Sequence, residues 1–66
     1  MIIQVNGEKK EVSGGLTVER LLKELEIRPG RVVVELNRDV IFRDAHGTIF
    51  LKEGDAVEIV QFVGGG

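Results

Sequence analysis

The 66-residue chain contains no cysteine. Neither a disulfide framework nor a thiolate zinc site can staple it, and it has no thiol nucleophile of its own. It has no apolar stretch near the ~20 residues that a membrane helix needs. It has no basic excess either: nine Lys and Arg stand against eleven Asp and Glu, a formal charge of -2. Nucleic acid is therefore not an expected partner, because backbone binding is driven by net positive clusters. The start MIIQVNG lacks the basic segment and small-residue cleavage site of a signal peptide, so the cytoplasm is the expected compartment. No repeat and no linker interrupts the chain. A domain this short buries only about 60% of its unfolded surface, so its core must be small and regular.

What is present is a run of alternating and helical patterns. In MIIQVNGEKKEV, Asn6-Gly7 separates two segments of strand character, and both residues tolerate the positive φ of a tight hairpin. Ile3 and Val5 are expected inward, Ile2 and Gln4 outward, with Val12 adding a core contact from the second strand. The period then changes. Val18, Leu21, Leu22 and Leu25 fall at i, i+3, i+4 and i+7, which predicts a helix over Thr17–Glu26. Thr17 is its expected N-cap, and Leu16 with Leu21 its hydrophobic staple. Pro29-Gly30 marks a point by which the helix has stopped.

The segment from Arg31 to Asn37 is nearly continuous in apolar residues and predicts a central strand. Asn37-Arg38-Asp39 is a turn, Val40-Ile41-Phe42 a short strand, and Thr48–Leu51 a further extended piece. Lys52–Asp55 is a second turn in which Gly54 takes a positive φ. Ala56–Phe62 is the last strand. Hairpin, helix, strand, short strand and strand make an α+β domain with a mixed sheet and one main helix packed on one face. A last strand lying beside the first would complete a β-grasp roll.

No constellation of catalytic residues is present. His46 is the only histidine, and it stands in a loop without the partners that tune and orient a catalytic imidazole. It is expected at the surface. Asp44 beside it makes too small a set to argue for a metal, so no metal ligands and no catalytic residues are assigned. The glycines of Val12–Thr17 precede a helix but lack both the Walker lysine and the dinucleotide fingerprint, so a phosphate cradle is not expected there.

The end VQFVGGG is the most informative stretch. A Gly-Gly-Gly segment is thin, because glycine has no Cβ. From Phe62 to Gly66 it reaches at most about 14 Å. Such a thread suits a narrow channel on another protein, and a glycine carboxylate is the least hindered that a chain can offer. Fraying or an expression scar is the bland alternative. The apolar strand running directly into the glycines argues against both. A domain over 1–62 with a flexible reactive tail over 63–66 is the expected division.

Across its whole length the sequence resembles the ThiS sulfur carriers of thiamin (thiazole) biosynthesis, members of the ubiquitin-like β-grasp group. The stretches that carry the resemblance are MIIQVNGEKKEV, LTVERLLKEL, VVVELNRDVIFR and LKEGDAVEIVQFVGGG. Gly-Gly endings occur also in the small subunit of molybdopterin synthase, a similar but typically longer carrier, so a sulfur carrier of molybdopterin synthesis is the closer alternative. The resemblance implies a co-substrate and not an enzyme, with no permanently bound cofactor. An E1-like adenylating enzyme would use ATP to activate the Gly66 carboxylate. A persulfide donor, fed by a cysteine desulfurase or a related relay, would convert it to a thiocarboxylate, and thiazole synthase would take the sulfur. Gly65 would give unhindered approach, and Gly64 with Val63 would supply reach.

Strand alternation assigns the faces. With Val57 and Ile59 inward, Glu58, Val60 and Phe62 point outward beside the tail, a small apolar patch of the kind that marks partner contacts. A non-covalent β-grasp interaction module is the alternative in which the glycines are incidental. An enzyme centred on His46 and Asp44 has almost no support.

Overall fold

A computed structural model describes residues 1–61. Five strands form one sheet in the order β2-β1-β5-β3-β4, with β1 Ile2–Val5, β2 Glu8–Glu11, β3 Val32–Leu36, β4 Asp39–Ile41 and β5 Ala56–Gln61. Only the β1–β5 contact is parallel among these neighbours. The expected pairing of the last strand with the first is thus found. The apolar run of β3 lies, as expected, in an interior strand, between β5 and β4, and β5 is the middle of the five. Phe62, expected to close β5, and the tail over 63–66 lie outside the described residues.

Both hairpins are set by asparagine. Asn6 and Gly7 have φ of 51° and 83°, and Asn37 and Arg38 have 50° and 75°. Positive φ at both central residues is the signature of the turn that matches strand twist in a two-residue hairpin. Arg38 adopts this conformation without the ease of glycine.

Helix α1 spans Val18–Glu24, shorter than the predicted Thr17–Glu26. Thr17 is the N-cap, and its Oγ1 accepts the Arg20 N–H at 3.2 Å. At the other end the Ile27 N–H bonds the Leu22 carbonyl at 2.8 Å and the Glu26 N–H bonds that of Lys23 at 3.0 Å. These two bonds form a Schellman closure, with Glu26 at φ 59° in the left-handed position that usually holds glycine. The helix therefore stops itself before Pro29, which instead opens a 3-10 turn over Pro29–Arg31. Ile27, brought back by this closure, packs partly buried against the core cluster.

The core lies between α1 and one face of the sheet. Val18, Leu21 and Leu22 of the helix join Ile3, Val32, Val34, Val57, Ile59, Leu16 and Leu51 in a single buried cluster. Val5, Val12, Leu25 and Leu36 pack against it only partly buried. Ile2, Gln4, Glu58 and Val60 are exposed on the other face, as alternation requires.

The segment over 42–51 departs most from expectation. Thr48–Leu51 forms no strand and contributes one isolated bridge, Thr17 to Phe50. A 3-10 turn over Arg43–Ala45 instead folds the chain back over the start of α1. There the Val18 N–H donates to the Ile49 carbonyl at 3.1 Å and the Glu19 N–H to that of His46 at 3.0 Å. Loop carbonyls thus satisfy helix N–H groups that have no partner within the helix. This use of its backbone draws His46 inward: it is 3% exposed, not the surface residue that a lone loop histidine suggested. Its Nε2 lies 3.3 Å from the Ile41 carbonyl, and Nδ1 is buried without a partner. A carbonyl can only accept, so Nε2 carries the hydrogen.

Two stability outcomes are expected in urea unfolding. Leu22→Ala, at a site 1% exposed, should cost about 2–4 kcal/mol. Glu26→Gly should raise stability by about 0.5–1 kcal/mol, because it removes the left-handed strain at a solvent-exposed position. A loss on Glu26→Gly would show that the helix end is held by the side chain and not by backbone geometry.

Candidate functional site

β5 is the strand that delivers the chain to its last residues, so its placement decides where the sequence-predicted site can act. It is held on both sides. β3 pairs with it over its full length, from Val32 opposite Gln61 to Leu36 opposite Val57. β1 pairs only at Gln4 with Ala56 and Val5 with Val57. Beyond that point β1 turns away, and the Asn6 carboxamide takes over. Its Oδ1 accepts the Ile59 N–H at 2.7 Å, and its Nδ2 donates to the Ile59 carbonyl at 3.3 Å. One side chain thereby replaces the peptide group that a continued strand would have offered.

Asn37 does the same at the other end of β5. Its Oδ1 accepts the Ala56 N–H at 2.9 Å, its own N–H donates to the Ala56 carbonyl at 2.8 Å, and its Nδ2 donates to Asp55 Oδ1 at 3.0 Å. Asp55 is 6% exposed, and its second oxygen accepts the Lys52 N–H at 2.7 Å. Both carboxylate oxygens are engaged, which is what burial of a charge requires. The Lys52–Asp55 turn is as expected, with Gly54 at φ 83°. Sequence pattern marked Asn6 and Asn37 only as turn formers. The repeated Asn at the first central position of each hairpin was the available signal, but its second use needs the tertiary neighbour.

Of the predicted site residues, Glu58 and Val60 lie together on the exposed face of β5, and Val60 is 54% exposed. Phe62, Val63, Gly64, Gly65 and Gly66 lie outside the described residues. Near Gln61, Glu26, Ile27, Arg28 and Arg31 line a polar hollow at the end of the strand. Among the described residues no group of three His, Asp or Glu side chains is arranged to hold a metal. Among them, too, no helix is long and apolar enough to cross a membrane. Asp44 is exposed while His46 is buried, so the two do not form a common site.

A mixed five-strand sheet with one helix on one face, and a central last strand parallel to the first, defines a ubiquitin-like β-grasp domain. The crystal structure of thiamine biosynthesis protein ThiS from Geobacter metallireducens superposes on it with a TM-score of 0.87, at 40% identity and with all of both chains covered. The chain belongs to the ThiS family, whose model matches residues 3–66. The sulfur carrier protein ThiS of Bacillus subtilis is 33% identical over 69 residues, covering 98% of this chain and 100% of that one. A thiazole synthase of Magnetococcus marinus is 42% identical over 66 residues. That match takes in all of this chain, which spans only 20% of the synthase. The ThiS of Escherichia coli, 26% identical over 66 residues with all of both chains covered, is likewise a sulfur carrier protein.

The two asparagine clamps can be tested without partners. Asn37→Ala should lower stability by about 1–3 kcal/mol, since it strands a buried Asp55 oxygen and the Ala56 N–H. Asn37→Gly keeps the positive φ and should lose somewhat less. Equal stability of both variants and the parent in urea would show that the hydrogen bonds to β5 contribute nothing net.

Proposed function

We propose that this chain carries sulfur for thiazole formation as a thiocarboxylate on Gly66. The observation that supports this most directly is the family match running through Gly66. In this reading, residues 1–62 are the domain that partners recognise and 63–66 the reactive tail. Glu58, Val60 and Phe62 contact the partner beside the tail root, Val63 and Gly64 supply reach, and Gly65 leaves the approach unhindered. The protein works in the cytoplasm.

The chemistry follows from what the chain lacks. A carboxylate is a poor electrophile at neutral pH. An E1-like adenylating enzyme supplies a leaving group: a Gly66 oxygen attacks the α-phosphate of ATP, and pyrophosphate departs. A protein persulfide, charged by a cysteine desulfurase or a related relay, then attacks the acyl carbon and displaces AMP. A thiol on the donor side then cleaves the sulfur–sulfur bond of the resulting acyl disulfide, leaving the thiocarboxylate and a disulfide. The chain has no cysteine, so persulfide and thiol both come from outside. Thiazole synthase is the proposed recipient. The thiazole synthase relative, which holds a similar segment within its own longer chain, supports that link.

Intact-protein mass spectrometry after incubation with ATP, the activating enzyme and a persulfide donor tests the reading. The full chain should gain the mass difference between sulfur and oxygen. A chain lacking Gly66 should not, because its carboxylate stops about 3.5 Å short, and a misplacement of even about 1 Å can cost a hundredfold in rate. The deletion should melt at the parent temperature, since the core cluster among the described residues runs no further than Ile59. An unchanged full chain, with an enzyme preparation that thiolates another carrier of the family, would overturn the assignment. Equal conversion of the deletion would overturn the argument from reach.

A further inference from the structure

Where β5 ends, three of the chain's five arginines come together. Arg28 and Arg31 bracket the 3-10 turn over Pro29–Arg31, and the Arg31 N–H donates to the Arg28 carbonyl at 3.1 Å. A 3-10 turn sets side chains three residues apart one above the other. Both arginines accordingly line one hollow of about 380 Å³, with Gln61 of β5 on a second wall and half-buried Ile27 as an apolar one. Val32, the residue after Arg31, pairs with Gln61, which fixes this pincer at the end of β5. The third arginine stands behind it: the Arg43 guanidinium reaches to 3.3 Å from where a Cβ on Gly30 would be.

The hollow is short of negative charge. Among the described residues Glu26 is the one acid lining it, so two arginines less one glutamate leave a wall of net charge +1, in a chain of net charge -2. Arg43 adds to the field from outside. A guanidinium fork matches a carboxylate in bidentate fashion, and an apolar wall lowers the local dielectric and strengthens the attraction. The hollow therefore fits one oxyanion of single charge, with room for a terminal glycine behind it.

We propose that this hollow is a carboxylate-binding site and that its occupant is the carboxylate of Gly66 on the same chain. The assignment rests on the sulfur-carrier reading, in which Gly66 is the terminus, and gives the reacting group a place on the carrier between encounters. Length carries it first. Five residues follow Gln61, a reach of at most about 17 Å, and Gln61 is itself in the wall. Gly64-Gly65 is a pair that can reverse a chain within two residues, and such a turn returns Gly66 to within about 7 Å of Val63. Concentration carries it second. A tether this short holds its end at a millimolar effective concentration, so a site of millimolar affinity is about half filled by the tail. A free anion has to reach millimolar levels to compete. A hold of that strength yields easily to an enzyme that draws the tail out. A thiocarboxylate keeps the single negative charge, so the same hollow takes the charged carrier.

The test is nuclear magnetic resonance on the isotope-labelled full chain, beside the same chain bearing a carboxamide on Gly66. The side-chain Nε–H signals of Arg28 and Arg31 should differ between the two forms, and those of Arg20, on α1, and Arg38, in the β3–β4 turn, should not. The Gly66 N–H should relax as a more ordered group in the carboxylate form. Arg28→Gln with Arg31→Gln should abolish that difference at an unchanged melting temperature, because both side chains are exposed. Glu26→Gln should enlarge the arginine shifts, since it removes the competing acid. Raising the salt from about 0.05 to 0.5 M should shrink them. Identical arginine signals in the two forms would overturn the proposal. Shifts that grow with protein concentration would also overturn it, by assigning the contact to a second copy. So would about 10 mM inorganic phosphate moving the arginine signals equally in both forms, since a hollow held by the tail takes free phosphate more readily once the carboxylate is gone. The site and the function fail separately. Thiolation of Gly66 without an arginine response overturns the site alone, and an arginine response without thiolation overturns the sulfur-carrier reading alone.

Discussion

The position of β5 is the constraint on which the rest depends. It is the last of the described strands and the middle strand of the sheet, so β1 with β2 on one side and β3 with β4 on the other are joined by strand pairing only through it. A strand in that position must satisfy its backbone groups on both edges. β3 does so along its whole length, whereas the parallel partner β1 is too short. The carboxamides of Asn6 and Asn37 complete the ladder where backbone runs out. The residues that make the hairpins turn are thus the ones that clamp the central strand, and turn geometry and sheet closure are one feature.

The same economy appears at the helix. A seven-residue helix is marginal alone, since helix nucleation is costly and short segments do not repay it. Its start is fastened by Thr17 and by carbonyls of the loop after β4, and its end by the closure through Glu26 and Ile27. Packing on the sheet then supplies what propensity does not. The positive φ at Glu26 and Arg38 are small local costs, tolerated because neighbouring contacts over-determine both turns.

These fastenings leave the two faces of the sheet with different tasks. One is covered by α1 and holds the core. The other keeps exposed apolar side chains and a like-charge pair along β5, β3 and β4, leading to the end of β5. In the reading proposed above, a carrier has to be recognised by a partner before it can be acted upon.

Much of this was readable in the sequence because it depends on local periodicity. Val18, Leu21 and Leu22 announce the buried helix face, Val57 and Ile59 the inward side of β5, and Asn6-Gly7 and Asn37-Arg38 the two turns. The family and its expected chemistry were readable from the glycine end and the stretches around it. Three things were not. That α1 ends at Glu24 depends on the pull of Ile27 back over Leu22. That His46 is buried depends on where its carbonyl is needed. That the carboxamide of Asn6 holds Ile59 depends on which strand closes beside β1. Sequence pattern determines which way a side chain points within its own element, since that follows from the 3.6- and 2-residue periods of the backbone. Which elements become neighbours is decided only by the tertiary structure, because a hydrogen bond or a shared face between residues as far apart as Asn6 and Ile59 exists only once the chain has closed.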